Sequence, residues 1–264
     1  MRERIKRVIP KPVRRLIKSA EARLQMGCCI VQNTLCGVAT TEYKRVPIVI
    51  NNYNRLGYLL RLIASLECRG YTNIYIIDNC SSYPPLLDYY DSCPYRVFRL
   101  ESNIGYLALW KSGIYDLFKR SYYVYTDSDM EIDPLCPDNF MERFIEVMND
   151  YPLCQKVGFG IRTDDLPECY SNRTKVIEWE SQFWKNQVEL GLYRAQIDTT
   201  FALYRPFCKG VASAYHLTFR TGYPYLIRHL PWYVDSNNLD EEERYYLSSI
   251  SSSTHWSELS KGQK

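Results

Sequence analysis

From residue 44 onward the chain alternates short apolar runs with amphipathic stretches. Val46–Ile50 is apolar throughout and of strand length, which predicts a buried strand. Arg55–Glu67 places Leu56, Leu59, Leu60 and Ile63 at helical spacing, which predicts one apolar helix face. The pattern continues with a strand over Asn73–Ile77 ending at Asp78, a short helix over Tyr83–Tyr90 and a strand over Tyr95–Leu100. A helix over Gly105–Phe118, a strand over Tyr122–Thr126 ending at Asp127, a helix over Phe140–Asn149 and a strand over Lys156–Ile161 follow. Strands that alternate with helices predict an α/β fold, with a mostly parallel central sheet flanked by helices. In such sheets ligands bind beyond the carboxyl ends of the strands. Three polar clusters, Asn51–Arg55, Asp78–Ser82 and Asp127–Asp129, follow predicted strand ends and so converge on one sheet edge. Beyond Asp164 the alternation weakens: Glu180–Leu190 reads as helix, Thr199–Tyr204 as strand and Leu239–Leu247 as helix.

The first 25 residues have a different pattern. Ile5, Val8, Ile9, Val13, Leu16, Ile17, Ala20 and Leu24 recur at helical spacing with Lys and Arg between them. This predicts a basic amphipathic arm interrupted by Pro10 and Pro12. Residues 26–43 are weakly patterned and read as a link or a second short helix. The expected organisation is arm and link over 1–43, one domain over 44–247 and a polar, Ser-rich tail over 248–264.

Charge sharpens that division. Residues 1–25 carry nine Lys or Arg against Glu3 and Glu21, a net +7, which leaves −4 on the rest of a chain whose total is +3. A basic arm on a mildly acidic body points to an anionic membrane surface, and not to nucleic acid, as partner. The bland reading of the arm is a solubilising tail. No stretch approaches the roughly 20 apolar residues that span a bilayer, so the expected location is cytoplasmic, peripheral to the inner face of the membrane. The 10 cysteines form no CxxC pair, which favours packed, reduced thiols.

The segment YVYTDSD (123–129) carries the most chemistry. Two carboxylates one residue apart beyond a buried strand suit a hard divalent cation, Mn2+ or Mg2+, that grips a diphosphate. Its bland reading is a solvated acidic turn. Asp198 falls just before the predicted strand Thr199–Tyr204, near the sheet mouth, and Glu180 is expected at a helix start, where the dipole favours the ionised form.

Four segments together resemble the family 2 glycosyltransferases of the GT-A fold: PIVINNYNRLGYLLRLIASL (47–66), IYIIDNCSS (74–82), NIGYLALWKSGI (103–114) and VYTDSDMEID (124–133). The resemblance covers about residues 45–235 and implies a single GT-A-like domain. It implies donor contacts at Asn52, Asn54, Arg55, Asp78, Asn103, Gly105 and Asp127. Metal contacts are implied at Asp127, Asp129 and a late histidine, His229. The implied reaction is metal-dependent, inverting transfer from a nucleoside-diphosphate sugar, a UDP-sugar, to a glycan or lipid-linked acceptor, as in bacterial surface-glycan assembly. The family's Glu-Asp pair, whose Asp is the base, is missing here; IDTTFALYRP (197–206) and EWESQFW (178–184) leave Asp198 and Glu180 as candidates. Two alternatives stand beside this. A haloacid-dehalogenase-type phosphatase also follows a strand with Asp-x-Asp, but that motif opens its fold, and Glu131 stands at a position expected to be Thr or Val. A non-catalytic, membrane-associated protein of the same fold would account for the missing pair.

Overall fold

The computed structural model describes residues 10–36, 42–210 and 215–250. The arm residues Ile5, Val8 and Ile9, the basic residues before them and the tail beyond residue 250 lie outside the described residues.

A ten-stranded sheet forms the centre. Its strands are β1 Ile48–Asn52, β2 Ile74–Asp78, β3 Arg96–Arg99, β4 Tyr123–Asp127, β5 Met130–Ile132, β6 Cys154–Ile161, β7 Gln187–Glu189, β8 Leu192–Arg194, β9 Ala202–Tyr204 and β10 Leu217–His229. Their order is β3-β2-β1-β4-β9-β6-β10-β8-β7, with β5 paired to β10. The first four are parallel throughout, as the alternation predicts. The second half is mixed: β9 runs antiparallel between β4 and β6, β10 is parallel to β6, and β7–β8 is an antiparallel hairpin. β1 begins two residues later than the apolar run, at Ile48. Pro47 lacks an N–H and contributes only its carbonyl, which accepts from Val124 N at 2.8 Å.

Alternate residues of each strand enter opposite layers. Ile48 and Ile50 join a large cluster with Leu59, Phe140, Phe144 and Phe159. Val49, Tyr123 and Tyr125 join a smaller one with Ala108 and Leu109. The helices between strands are α2 Gly57–Glu67, α3 Pro84–Ser92, α4 Ala108–Lys111, α5 Phe140–Asp150 and α6 Arg173–Ser181. α2 buries Leu59, Leu62, Ile63 and Leu66, while Leu60 faces out. The helix expected over Gly105–Phe118 is broken into α4 and flanking 3-10 turns, because Gly113 sits at φ +81. The helix expected over Glu180–Leu190 is not formed. α6 ends at Ser181, and the β7–β8 hairpin turns at Gly191, φ +70.

Two helices frame the domain. α1, Lys11–Cys36, is one continuous helix, so Pro12 does not interrupt it and residues 26–36 are not a separate link. Pro12 lies in the first turn, where a missing N–H leaves no gap in the helix bonding. Met26 and Cys29 of α1 pack on Cys208 and Phe207. α7, Glu241–Ser249, is capped by Asp240, whose side chain accepts from Glu243 N at 2.7 Å. α2 has no side-chain cap of its own; Glu242 of α7 accepts from Leu56 N and Gly57 N at 2.9 Å each.

Candidate active site

The carboxyl ends of β1 and β4 open into a cavity of about 950 Å3. Asp127, the last residue of β4, stands in its floor. Its Oδ2 accepts from Thr199 Oγ1 at 2.5 Å, and its N–H donates to the Thr199 carbonyl at 3.1 Å. Burial pushes its carboxyl well above the usual range, and the neighbouring Asp129 charge adds to that; the bond from Thr199 opposes both.

The two acids do not share an extended strand. The chain turns at Ser128–Asp129, where Ser128 N bonds the Asn51 carbonyl at 3.1 Å. β5 then pairs with β10 so that Met130 opposes His229, and Leu230 N donates to the Asp129 carbonyl at 2.8 Å. Asp129 is thereby carried to His229, with Oδ2 3.6 Å from Nε2. Asp129 Oδ1 and His229 Nδ1 are both buried without a hydrogen-bond partner. Burial lowers the imidazole's pKa, against the pull of Asp129, which favours the neutral, metal-ligating form.

No three His, Cys, Asp or Glu side chains among the described residues form a ready cage for a metal. The donor set nevertheless fits Mg2+ or Mn2+. Such ions take one or two protein carboxylates and complete their shell with water and substrate phosphates. Within this set Asp129 Oδ1 and His229 Nδ1 are the unpartnered atoms.

The remaining expected site residues other than Glu180 divide into two groups. Asn103, Gly105, Arg55 and Asp198 line the cavity with Asp127, Asp129 and His229. Asn103 Oδ1 accepts from Gly105 N at 2.9 Å, and Gly105 takes φ +77, so this turn presents backbone to the cavity. Asn52, Asn54 and Asp78 are buried behind it and already bonded. Asn52 Nδ2 donates to Tyr90 Oη at 2.9 Å. Asn54 accepts from Ser82 N and Tyr83 N and donates to Ser249 Oγ at 2.9 Å. Asp78 accepts from Ser81 N at 3.2 Å and lies 3.7 Å from Arg99 Nε. These three hold the β1 and β2 loops to their neighbours.

Glu180 departs furthest from expectation. It lies in the last turn of α6, not at a helix start, and pairs with Arg220 at 2.7 Å away from the cavity lining. Asp198 is exposed at the cavity mouth. Sequence reasoning missed Asn79, which clamps the Asn103 turn by accepting from Ile104 N at 2.9 Å and donating to Gly105 O at 3.1 Å. Its place one residue beyond Asp78 was the available signal. It also missed Glu243 and Tyr246 of α7. Glu243 meets Arg55 at 3.0 Å, and the Tyr246 ring lies 3.8 Å from the guanidinium.

Residues 48–205 match the family model described as glycosyl transferase family 2. The chain belongs to that family. The phosphatase alternative falls with this membership, and the Asp127–Asp129 turn is that of a glycosyltransferase domain. No curated protein matches the chain in sequence. Among solved structures it is similar to S. aureus TarS, at 15% identity and TM-score 0.39 over 61% of this chain. It is also similar to GalNAc-T7 crystallised with UDP, GalNAc and Mn2+, at 13% identity and TM-score 0.42 over 70% of this chain. The match spans 28% of the TarS chain, 47% of a TarS 1–349 chain and 42% of the GalNAc-T7 chain.

Proposed function

We propose that this glycosyltransferase moves a sugar, with inversion, from a UDP-sugar to a glycan or lipid-linked acceptor. The supporting observation is that one cavity is lined by Asp127, by Asp129 and His229 with one unpartnered atom each, by the Asn103–Gly105 turn and by one exposed acid, Asp198. Asp127, Asp129 and His229 would hold Mn2+ or Mg2+, which when bound offsets charge on the leaving diphosphate. The Asn103–Gly105 turn offers backbone beside the donor. Asp198 accepts the proton of the acceptor hydroxyl, whose oxygen attacks the anomeric carbon from the face opposite the diphosphate. Holding the two reactants in line supplies much of the acceleration.

In this reading α1 rests on an anionic membrane surface, where a lipid-linked acceptor of surface-glycan assembly would be found. No described helix is long and apolar enough to cross a membrane. α1 leaves Leu16, Leu24 and Val31 exposed and carries Lys11, Arg14, Arg15, Lys18 and Arg23. Each basic residue near an anionic leaflet contributes about 1 kcal/mol.

The test is UDP release from a panel of UDP-sugars with glycan and lipid-linked acceptors, with and without Mn2+. Metal-dependent release that Asp127→Ala and Asp129→Ala abolish is expected. Asp198→Asn is expected to lower kcat by at least about a hundredfold while donor KM holds. Release that ignores both metal and the Asp127 and Asp129 substitutions refutes the metal assignment. UDP binding without turnover on any acceptor returns the non-catalytic reading.

A further inference from the structure

The segment between β8 and β9 carries both Asp198 and Thr199, yet residues 195–198 have no regular structure. Four of its polar groups are held by groups on β6 and β10. Thr218 Oγ1 donates to the Ala195 carbonyl at 2.6 Å. Arg220 Nε donates to the Gln196 carbonyl at 2.7 Å. Lys156 Nζ donates to the Asp198 carbonyl at 2.9 Å. Ala195 N returns a bond to the Thr218 carbonyl at 3.2 Å.

The three donor side chains share one face by register. Lys156 lies beside Thr218 and Gly158 beside Arg220 across the parallel β6–β10 pair, and residues two apart on a strand point the same way. Gly158 lets β9 come this close, since a Cβ there would stand 2.5 Å from the Phe201 carbonyl.

These groups are kept at an energetic cost. Lys156, Thr218, Arg220 and Glu180 are all buried. Burial lowers the pKa of Arg220 and raises that of Glu180 despite their 2.7 Å contact, so desolvation outweighs the pairing on both sides. A buried pair of that kind contributes little to stability compared with apolar packing. Its geometric product is a guanidinium fixed on one carbonyl.

We infer that Lys156, Thr218 and the Glu180–Arg220 pair are positioning residues that staple the Ala195–Asp198 backbone, setting Asp198 against the acceptor and Thr199 against Asp127. Glu180 thus serves the site through Arg220 and the Gln196 carbonyl. The inference rests on the glycosyltransferase reading for its catalytic consequence, while the staple itself stands without it.

Two substitutions separate these. Lys156→Met removes one staple, and Thr218→Val removes another at almost unchanged volume, with Thr218→Ser restoring the hydroxyl. Amide exchange in the peptide spanning residues 195–200 is expected to rise at least about tenfold in Lys156→Met and Thr218→Val while β1 stays protected. Turnover is expected to fall about tenfold or more at unchanged donor KM, with Thr218→Ser recovering both readings. A general structural role would instead speed exchange in β1 as well and leave kcat per folded molecule intact. Unchanged exchange in both variants overturns the staple. Faster exchange with unchanged kcat, or a parallel rise in donor KM, overturns the link to Asp198. If the wild type turns over no donor, the glycosyltransferase reading fails, and the exchange data alone decide the staple.

Discussion

Thr199→Val is the sharpest probe of the acidic floor. Thr199 is buried, so the nearly isosteric valine leaves packing in place and removes only the Oγ1 hydroxyl. The backbone bond from Asp127 N to the Thr199 carbonyl survives the change. What is lost is one 2.5 Å hydrogen bond to a carboxylate, and bonds to charged groups contribute about 1.5–3 kcal/mol. That bond favours the ionised form of Asp127 against burial and the Asp129 charge. Without it the carboxyl's pKa rises further, and protons compete more strongly with a cation. Metal affinity at neutral pH is therefore expected to fall about tenfold to a hundredfold, with the loss recovering as pH is raised. Mn2+ binding followed by electron paramagnetic resonance across a pH series reads this directly, with Thr199→Ser as the control. Affinity within twofold of wild type at every pH would refute the argument that this bond maintains the charge on Asp127.

Breaking the buried Arg55–Glu243 contact by Glu243→Leu should cost about 3 kcal/mol or more, while the double variant Arg55→Met, Glu243→Leu recovers most of it. Calorimetric melting of the four members of the cycle checks this, and simple additivity would contradict it. Burial holds the Lys156 amine down to about 7, against 10.5 ordinarily. Between those values the unfolded chain binds the extra proton. Stability therefore rises with pH across that window and is lost as pH falls through the lower value. Lys156→Met should flatten the melting temperature between those limits, and an unaltered slope would show that this amine does not titrate there. Removing residues 1–36 should abolish flotation with anionic vesicles and spare turnover on a soluble acceptor; flotation that persists, or that ignores lipid charge, would exclude the arm as a membrane contact.

The first half of the fold was legible because its elements are locally consistent. Strands of four or five residues alternate with helices whose apolar faces repeat at helical spacing, and β1, β2 and β4 end at Asn52, Asp78 and Asp127, at or just behind the cavity. The errors there have local causes. Pro47 delays β1, and Gly113 breaks a helix that the periodicity of its neighbours supports. α1 ran longer than its pattern because one end of it is held by a small contact with Cys208, 179 positions beyond Cys29, which periodicity cannot reveal.

The second half was less legible because its order is imposed from a distance. Residues 195–198 carry no pattern of their own, and their conformation is dictated by side chains on β6 and β10. The same physics explains why Glu180 and Asp198 looked alike in sequence. Each is an acid near the late part of the sheet, and nothing local says which has a cation beside it. Arg220, 40 positions from Glu180, takes one acid out of contention as a base by pairing with it, while Asp198 stays exposed at the cavity. A similar partition separates Asn54 from Asn103. Both follow strand ends, but Asn54 spends its amide on Ser82, Tyr83 and Ser249, whereas Asn103 is exposed at the cavity and accepts from Gly105 N of its own turn. Residue type and strand position thus locate the site, and the partners contributed by α6, α7 and β10 decide which of its polar groups remain free to meet a ligand.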